Sequence, residues 1–393
     1  MERFDAVVVG AGPAGSTAAH LLARAGTRVL LVDKATFPRD KPCGGGVTMR
    51  AARLLPCSID EVVEDEVDRL EVRFRYGTAF ERRGKQAFAL MTQRRRLDAH
   101  LAEQAARAGA DFRDGVKVTD VRRENGAVAL AVDGKEIGAR SLVVADGANG
   151  TTAREVGLDG GIVHGIALEG NVPHAAAPRE RYRGRMLLEL GDIPGGYGWV
   201  FPKGDHVNVG VGGWQTEGPR LREHLDKVCR AHGLDTASVG ELRGYRLPMR
   251  RPDKRIADGP VALIGDAGGL LDPFSGDGMY EAFASARLVA AAIEDLLAGR
   301  AQGLEPYATA VDRAIGPLTA AGWGAKAALD RFPRTTFAAA RLPLTWRGLE
   351  KILMGDIGHP GAAKGAERRA LKLIEALARR AGDPGRAYRI RAA

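Results

Sequence analysis

Asp5-Ala6-Val7-Val8-Val9-Gly10-Ala11-Gly12-Pro13-Ala14-Gly15 is the stretch that decides the fold of this chain. Residues 6–9 are apolar and mostly β-branched, which suits a strand buried on both faces of a parallel sheet. Three glycines follow at the spacing Gly10-x-Gly12-x-x-Gly15. Residues 16–25 then read as an Ala- and Leu-rich helix, and Gly26 ends it as a residue tolerant of positive φ. Arg28-Val29-Leu30-Leu31-Val32 reads as a second strand, with Asp33 and Lys34 at its end. Each part has a physical task. Gly10 permits the tight turn, Gly12 lets the backbone approach a diphosphate, and Gly15 lets helix and strand pack closely. The diphosphate would rest against the positive end of the helix. Asp33 lies where a carboxylate can accept hydrogen bonds from ribose hydroxyls. Strand, loop, helix, strand and acid in that order predict a Rossmann-type dinucleotide-binding unit.

The kind of dinucleotide follows from two later strand ends. Residues 140–144 read as a strand leading to Asp146-Gly147, and Val261-Ala262-Leu263-Ile264 leads into Gly265-Asp266-Ala267-Gly268. Pro273 and Gly276-Asp277-Gly278-Met279 stand ahead of an Ala-rich helix over residues 280–297. A carboxylate at a strand end can accept hydrogen bonds from a polyol chain. Glycines at a helix N-terminus can offer backbone N–H groups to an electron-rich carbonyl. FAD presents both partners, in its ribityl chain and its pyrimidine edge, and NAD presents neither. Asp266 alone reads equally well as a solvated turn residue or a helix N-cap. Joined to the N-terminal loop, it points to FAD.

Tyr197-Gly198-Trp199-Val200-Phe201-Pro202-Lys203, with Asn208-Val209-Gly210-Val211-Gly212 downstream, bears on the substrate. Aromatic rings at every second position are either one buried face of a strand or a flat, water-poor wall beside a bound ring. Alternation by itself favours the buried face. Pro42-Cys43-Gly44-Gly45-Gly46 offers a second contact, since glycines let backbone approach a planar ring. A thiol, ordinarily protonated at neutral pH, could donate a proton there; Cys43 reads equally as a small buried hydrophobe. Cys57 and Cys229 read as structural. Three cysteines so scattered predict neither a disulfide framework nor a zinc site, and no metal is expected. His164 and His206 are weaker acid candidates, without a partner pattern around either.

Four segments now carry a resemblance: the glycine loop, Pro42 to Gly46, Tyr197 to Gly212, and Gly265-Asp266 through Gly278. The chain resembles the FAD-dependent group with the p-hydroxybenzoate hydroxylase-like fold and, within it, the geranylgeranyl reductase family. Tyr197-x-Trp199-x-Phe201-Pro202 with Asn208-Val209-Gly210 is the specific part; the Trp-x-Trp-x-Ile-Pro pattern of flavin halogenases is absent. The resemblance implies FAD contacts at Gly10, Gly12, Pro13, Ala14, Gly15, Asp33, Lys34, Cys43, Gly44, Gly45, Arg94, Asp266, Gly276, Gly278 and Met279. It implies substrate contacts at Tyr197, Trp199, Phe201 and Pro202, and a catalytic part for Cys43. The expected activity is saturation of isolated C=C bonds in a geranylgeranyl or other polyprenyl chain, on a lipid, a quinone tail or a diphosphate. Such an alkene must receive a hydride from reduced flavin and a proton from an acid, in a site that excludes water. The electron donor is left open among NAD(P)H, ferredoxin and reduced quinone. An aromatic monooxygenase, and a non-catalytic electron carrier or prenyl-lipid-binding flavoprotein, are the alternatives. The chain departs from the family in having Asp33 where Glu is common and Gly150 where Ser is customary, with Arg154 one residue late.

The expected architecture is α/β. A Rossmann-type FAD-binding domain is assembled from residues 1–67, 92–155 and 247–303, an inserted antiparallel β-sheet cap from 68–91 and 156–246, and a basic helical region from 304–393. At 393 residues and 45% hydrophobic, the chain can bury a substantial core. Residues 331–393 carry 14 Lys and Arg against 5 Asp and Glu, an excess equal to the +9 of the whole chain. Residues 366–381 are helical in pattern, with Leu371, Ile374 and Leu377 on one side and Arg368, Arg369, Lys372, Arg379 and Arg380 largely elsewhere. Such a helix either touches an anionic membrane surface or packs on the body with a solvated basic face. No nucleic-acid motif accompanies the charge. The absence of a charged-then-apolar leader and of a long apolar run predicts a cytoplasmic protein, peripheral to the membrane if the basic helix docks. Oligomeric state is not legible.

Overall fold

A computed structural model describes residues 2–124 and 126–382. Strand Glu2–Val9 forms the middle of an eight-stranded sheet, paired in parallel with Val29–Val32 on one side and Lys135–Val144 on the other. Asp111–Arg113 and Val261–Leu263 extend it, also in parallel. Helices Pro13–Arg24, Arg94–Arg107 and Met279–Leu297 pack around it. Val7, Val8, Leu30, Leu31, Leu142 and Val143 are completely buried, which is why these strands read as unbroken apolar runs and not as alternations. The first helix starts three residues earlier than the apolar pattern suggests. Pro13 sits at its first position, where a missing N–H costs nothing and the fixed φ already suits the helix.

A second, seven-stranded sheet runs in the order Gly240–Arg250, Ile162–Pro173, His206–Trp214, Tyr197–Pro202, Arg185–Leu190, Arg69–Phe74, Ala79–Arg83. It is antiparallel except where Arg69–Phe74 meets Arg185–Leu190 in parallel. Period-two alternation divides its residues between two faces. On one face Val200, Val207, Val209 and Val211 pack on Leu221, Leu225 and Val228 of helix Leu221–His232. The other face carries Tyr197, Trp199 and Phe201, opposite Gly212, Gly210 and Asn208 respectively. A Cβ at position 210 would stand 2.1 Å from the Trp199 indole, so the glycine makes room for the ring.

The segment between residues 68 and 91 divides. Its first two strands join this sheet, whereas Ala89–Thr92 turns back to pair with Gly46–Thr48 and Val63–Val67 in a small third sheet. The helical stretch beyond residue 304 also divides. Tyr307, Val311 and Ile315, on and just after helix Glu305–Ala314, belong to the core of the first sheet, and the Tyr307 hydroxyl donates to the Leu263 carbonyl at 2.8 Å. Helices Gly316–Arg331, Pro333–Ala340 and Pro343–Met354 lie instead over the aromatic face of the second sheet, and Gly365–Ala381 packs on these helices. Phe337 meets Phe74 and Phe80 at 5.1 and 5.4 Å between ring centres, and Trp346 meets Phe88 at 5.6 Å.

Gly210→Ala and Gly212→Ala should separate sharply, although both replace a glycine on the same strand and face. At 212 the nearest atoms to a new Cβ stand at 3.6 Å, an ordinary contact. At 210 the indole must move, at a cost of about 1–3 kcal/mol. Thermal melts should place Gly210→Ala several degrees below wild type and Gly212→Ala beside it.

Candidate functional site

One cavity of about 1310 Å³ runs from the glycine loop, past the aromatic strand, to the C-terminal helices. Its first stretch is backbone-rich and polar. Gly10 has φ of +104°, and a Cβ on Gly15 would meet the Gly10 carbonyl oxygen at 1.9 Å, so neither position admits a side chain. Asp33 braces the loop: Oδ2 accepts the Ala11 N–H at 2.8 Å and Oδ1 accepts the Ala35 N–H at 2.9 Å. Lone pairs remain on that carboxylate for hydroxyl donors. The guanidinium nitrogens of Arg39 and Arg94 come within 3.6 and 3.9 Å of where a Cβ on Gly12 would be. Both are tethered to buried Asp98, Arg94 through bonds of 2.6 and 2.7 Å and Arg39 through one of 2.8 Å. Gly12, Pro13 and Ala14 line the cavity, as does the exposed Lys34, whereas Gly15 faces the sheet behind the loop.

Further along, Lys41 Nζ lies 3.0 Å from Asp266 Oδ2 and 4.4 Å from the centre of the Tyr245 ring. Burial is the strongest influence on the Lys41 ammonium and works against it, but Asp266 and Tyr245 together outweigh burial and the Arg94 charge and raise its pKa. A Cβ on Gly278 would stand 3.2 Å from Asp266 Oδ1, and Gly276 takes φ of +66°. The Met279 N–H is already bonded to Asp277 Oδ1 at 2.8 Å. Asp146 Oδ2 accepts the Thr152 N–H at 3.1 Å, while its buried Oδ1 has no partner among the described residues. Burial pushes the Asp146 pKa up. Its carboxylate stands 2.1 Å from where a Cβ on residue 150 would go, a physical reason for Gly150 in place of Ser.

The loop from Pro42 to Gly46 is held between this stretch and the aromatic strand. The Cys43 N–H donates to Glu169 Oε1 at 2.7 Å, and the Gly45 N–H to Cys43 Sγ at 3.3 Å. Lys203 Nζ donates to the Thr92 carbonyl at 2.7 Å and to the Gly44 carbonyl. Burial lowers the Lys203 pKa to about 8 against the pull of Cys43 and Glu169. Burial raises the Glu169 pKa, with the Cys43 N–H and Lys203 opposing. The Phe201 ring comes within 2.8 Å of where a Cβ on Gly44 would sit. Beside it, Trp199 donates Nε1–H to Asn208 Oδ1 at 2.8 Å, so the indole is fixed in plane. The Tyr197 hydroxyl donates to the Ser275 carbonyl, and burial raises its pKa.

Pro202 must be corrected. It turns with Val200 towards the opposite face, against Val207, and is absent from the cavity lining; strand alternation overrides its place in the motif. His164 and His206 do not line the cavity either. Past the aromatic strand the walls become apolar, with Leu70, Val72 and Leu188 on the sheet side and Leu318, Leu329, Phe337 and Trp346 on the helix side. A staple joins the two sides. Asp330 accepts the Gly195 N–H at 2.6 Å and the Trp214 Nε1–H at 2.7 Å, and Lys326 Nζ donates to the Gly195 carbonyl. Burial lowers the Lys326 pKa to about 8. Glu169, Lys41, Arg39, Lys326 and Asp330 escaped the sequence reading. Only Lys203, directly after Phe201-Pro202, lay inside a quoted motif.

A buried carboxylate oxygen without a partner, two tethered guanidiniums beside a glycine floor, and a second glycine-lined loop under aromatic rings fit FAD. The fold and site together define a flavin-dependent oxidoreductase. The chain belongs to the geranylgeranyl reductase family of FAD-binding proteins: the family model described as "FAD binding domain" matches residues 3–310, and relatives of that kind align over most of its length. It is 35% identical over 309 residues to a menaquinone reductase of Mycolicibacterium smegmatis, covering 73% of this chain and 76% of that protein. It is 32% identical over 313 residues to a geranylgeranyl diphosphate reductase of Rhodobacter capsulatus, covering 77% of this chain and 78% of that one. Among solved structures, a geranylgeranyl bacteriochlorophyll reductase-like protein of Thermoplasma acidophilum superposes with a TM-score of 0.77 at 23% identity, covering 95% of this chain and 96% of that chain. The protein is thus an FAD-dependent reductase of the geranylgeranyl reductase and menaquinone reductase type. No helix among the described residues is long and apolar enough to cross a membrane.

The Lys326 amine provides a pH test. In the folded protein it releases its proton near 8 instead of the usual 10.5, so between those values the unfolded chain binds more protons. Stability contributed at this site therefore rises with pH across that window. Against Lys326→Met, wild type should gain about 2 kcal/mol in urea-unfolding free energy between pH 8 and 10. Parallel pH dependences in the two proteins would count against a depressed amine.

Proposed function

We propose that this reductase saturates isolated C=C bonds of a geranylgeranyl or other polyprenyl chain carried on a lipid, a quinone tail or a diphosphate. The observation that carries the reading is the continuity of the cavity: the stretch fitted to FAD opens directly into an apolar slot. Asp33, Arg39 and Arg94 would hold the adenosine and diphosphate part of FAD, Asp266 its ribityl chain, and the Gly276 to Met279 backbone and the Pro42 to Gly46 loop its ring. Bound and reduced, FAD supplies the hydride.

What remains is for the chain's own residues to supply. A trisubstituted alkene offers no polar handle, so orientation must come from shape and water exclusion. Trp199, locked by Asn208, and Phe201, packed on Gly44, make one rigid edge of the slot. Leu188, Leu329 and Phe337 supply apolar surface along its length, where each buried CH₂ contributes about 0.8 kcal/mol. Such contacts are non-directional, so the chain can slide and present successive double bonds. We assign to the Cys43 thiol, on a loop pinned by Glu169 and Lys203, the delivery of the proton to the alkene carbon that does not receive hydride.

Dithionite-reduced protein, incubated anaerobically with prenyl substrates, should add two hydrogens per double bond, read by mass spectrometry. Oxygen-dependent hydroxylation in their place would reject the reading. Cys43→Ala should keep the yellow cofactor and its reduction but slow alkene saturation by about 10²-fold or more, the usual weight of general acid catalysis. Unchanged rates for both steps would remove Cys43 from the chemistry. Leu329→Trp should lower kcat/KM for geranylgeranyl substrates by about tenfold, the worth of one or two buried CH₂ groups, and leave geranyl substrates nearly unaffected.

A further inference from the structure

The apolar slot ends among helices Pro343–Met354 and Gly365–Ala381. Leu349 and Arg379 both line it and are both exposed to solvent, so its mouth lies between these two helices. The helices are packed together by Gly348, whose Cβ position would lie 2.9 Å from the Leu371 side chain. Among the described residues, the exposed large hydrophobic side chains are Leu342, Leu349 and Leu373, at 40%, 37% and 49% exposure. All three stand on or beside this helix pair.

The charge around them is one-sided. Glu367 is paired with Lys351 at 2.7 Å and Glu375 with Arg368 at 3.0 Å. Asp356 faces Arg53 at 3.5 Å, and Glu350 accepts the Lys85 N–H at 3.0 Å. Arg347, Arg369, Lys372, Arg379 and Arg380 are exposed and hold no ion pair among the described residues. Arg369, Leu373, Ala376 and Arg380 recur at helical spacing, which sets Leu373 between two arginines on the outward side. Ala370 and Leu371 face inward and are buried. Scattered single leucines are ordinary on a surface helix, but the three here are grouped on or beside one helix pair, with Leu373 on Gly365–Ala381. This helix shows a leucine framed by cations, the pattern of helices that lie in an anionic lipid interface.

We propose that the protein docks on an anionic bilayer through the outer faces of Pro343–Met354 and Gly365–Ala381, so that a prenyl chain passes from the membrane into the slot between Leu349 and Arg379. The docking surface stands on its own observations; the passage of a prenyl chain rests on the function proposed above. Leucine insertion and cation attraction act together, so binding requires acidic lipid and weakens as salt screens the charges.

The test uses the FAD-loaded full chain in vesicle flotation, with phosphatidylcholine alone or mixed with phosphatidylglycerol. Wild type should float with the mixed vesicles, sink with the neutral ones, and detach in high salt. The triple variant Arg369→Glu, Lys372→Glu, Arg380→Glu, and separately Leu373→Ser, should lose about tenfold or more in vesicle affinity. None of these positions lines the cavity, so turnover of a prenyl substrate in non-ionic detergent should stay within about twofold of wild type. Retained flavin absorbance and melting temperature establish that the variants are folded. Wild type that ignores acidic vesicles, or a triple variant that floats as well as wild type, overturns the docking. Wild type that floats but saturates no prenyl chain in either medium upholds the docking and refutes the proposed reaction.

Discussion

Lys203 is the constraint on which the site depends. Its ammonium is drawn out of water to within reach of two carbonyls, Gly44 on the thiol loop and Thr92 at the end of a strand in the small third sheet. A buried amine is costly unless it is well bonded. Those bonds therefore fix three elements against one another: the aromatic strand it ends, the thiol loop and the strand before helix Arg94–Arg107. Glu169 repeats the device from the next part of the same sheet by accepting the Cys43 N–H. The second sheet is thus not a cover resting on the first. It holds the loop that both parts of the cavity share.

The aromatic wall is equally a matter of what is missing. Tyr197, Trp199 and Phe201 would fill an ordinary sheet face if their cross-strand neighbours carried side chains. Gly210 on the adjacent strand leaves the Trp199 indole lying against bare backbone, and Asn208 beside it binds the indole nitrogen. The two readings of alternating aromatics, buried strand face and water-poor wall, are compatible. Trp199 is 9% exposed and still borders the cavity.

What was legible in the sequence follows the range of the forces involved. Gly10, Gly12, Gly15 and Asp33 act within one βαβ turn, so their spacing carries their geometry and the helix start moved only because Pro13 can occupy a first turn. Pro202 departs from the expectation because the strand divides the motif by parity. Glu169 lies 126 positions from Cys43, and Lys41 lies 225 from Asp266; no local pattern announces such contacts. The C-terminal helices were visible as amphipathic segments. Which apolar stripe meets which sheet is a tertiary fact, and so their role as the far wall of the slot was not.

That division of labour has a chemical consequence. The stretch fitted to FAD draws on the first sheet, the thiol loop and the inner part of the second sheet, all locked by buried hydrogen bonds. The far wall draws on Leu318, Leu329, Phe337 and Trp346, held mostly by apolar packing and tied to the rest by the Lys326 and Asp330 staple at Gly195. Apolar packing tolerates volume-conserving exchange far better than a buried polar network does. The apolar slot can therefore be reshaped while the cofactor end stays as it is. A menaquinone reductase and a geranylgeranyl diphosphate reductase, named for different molecules, stand at comparable identity to this chain.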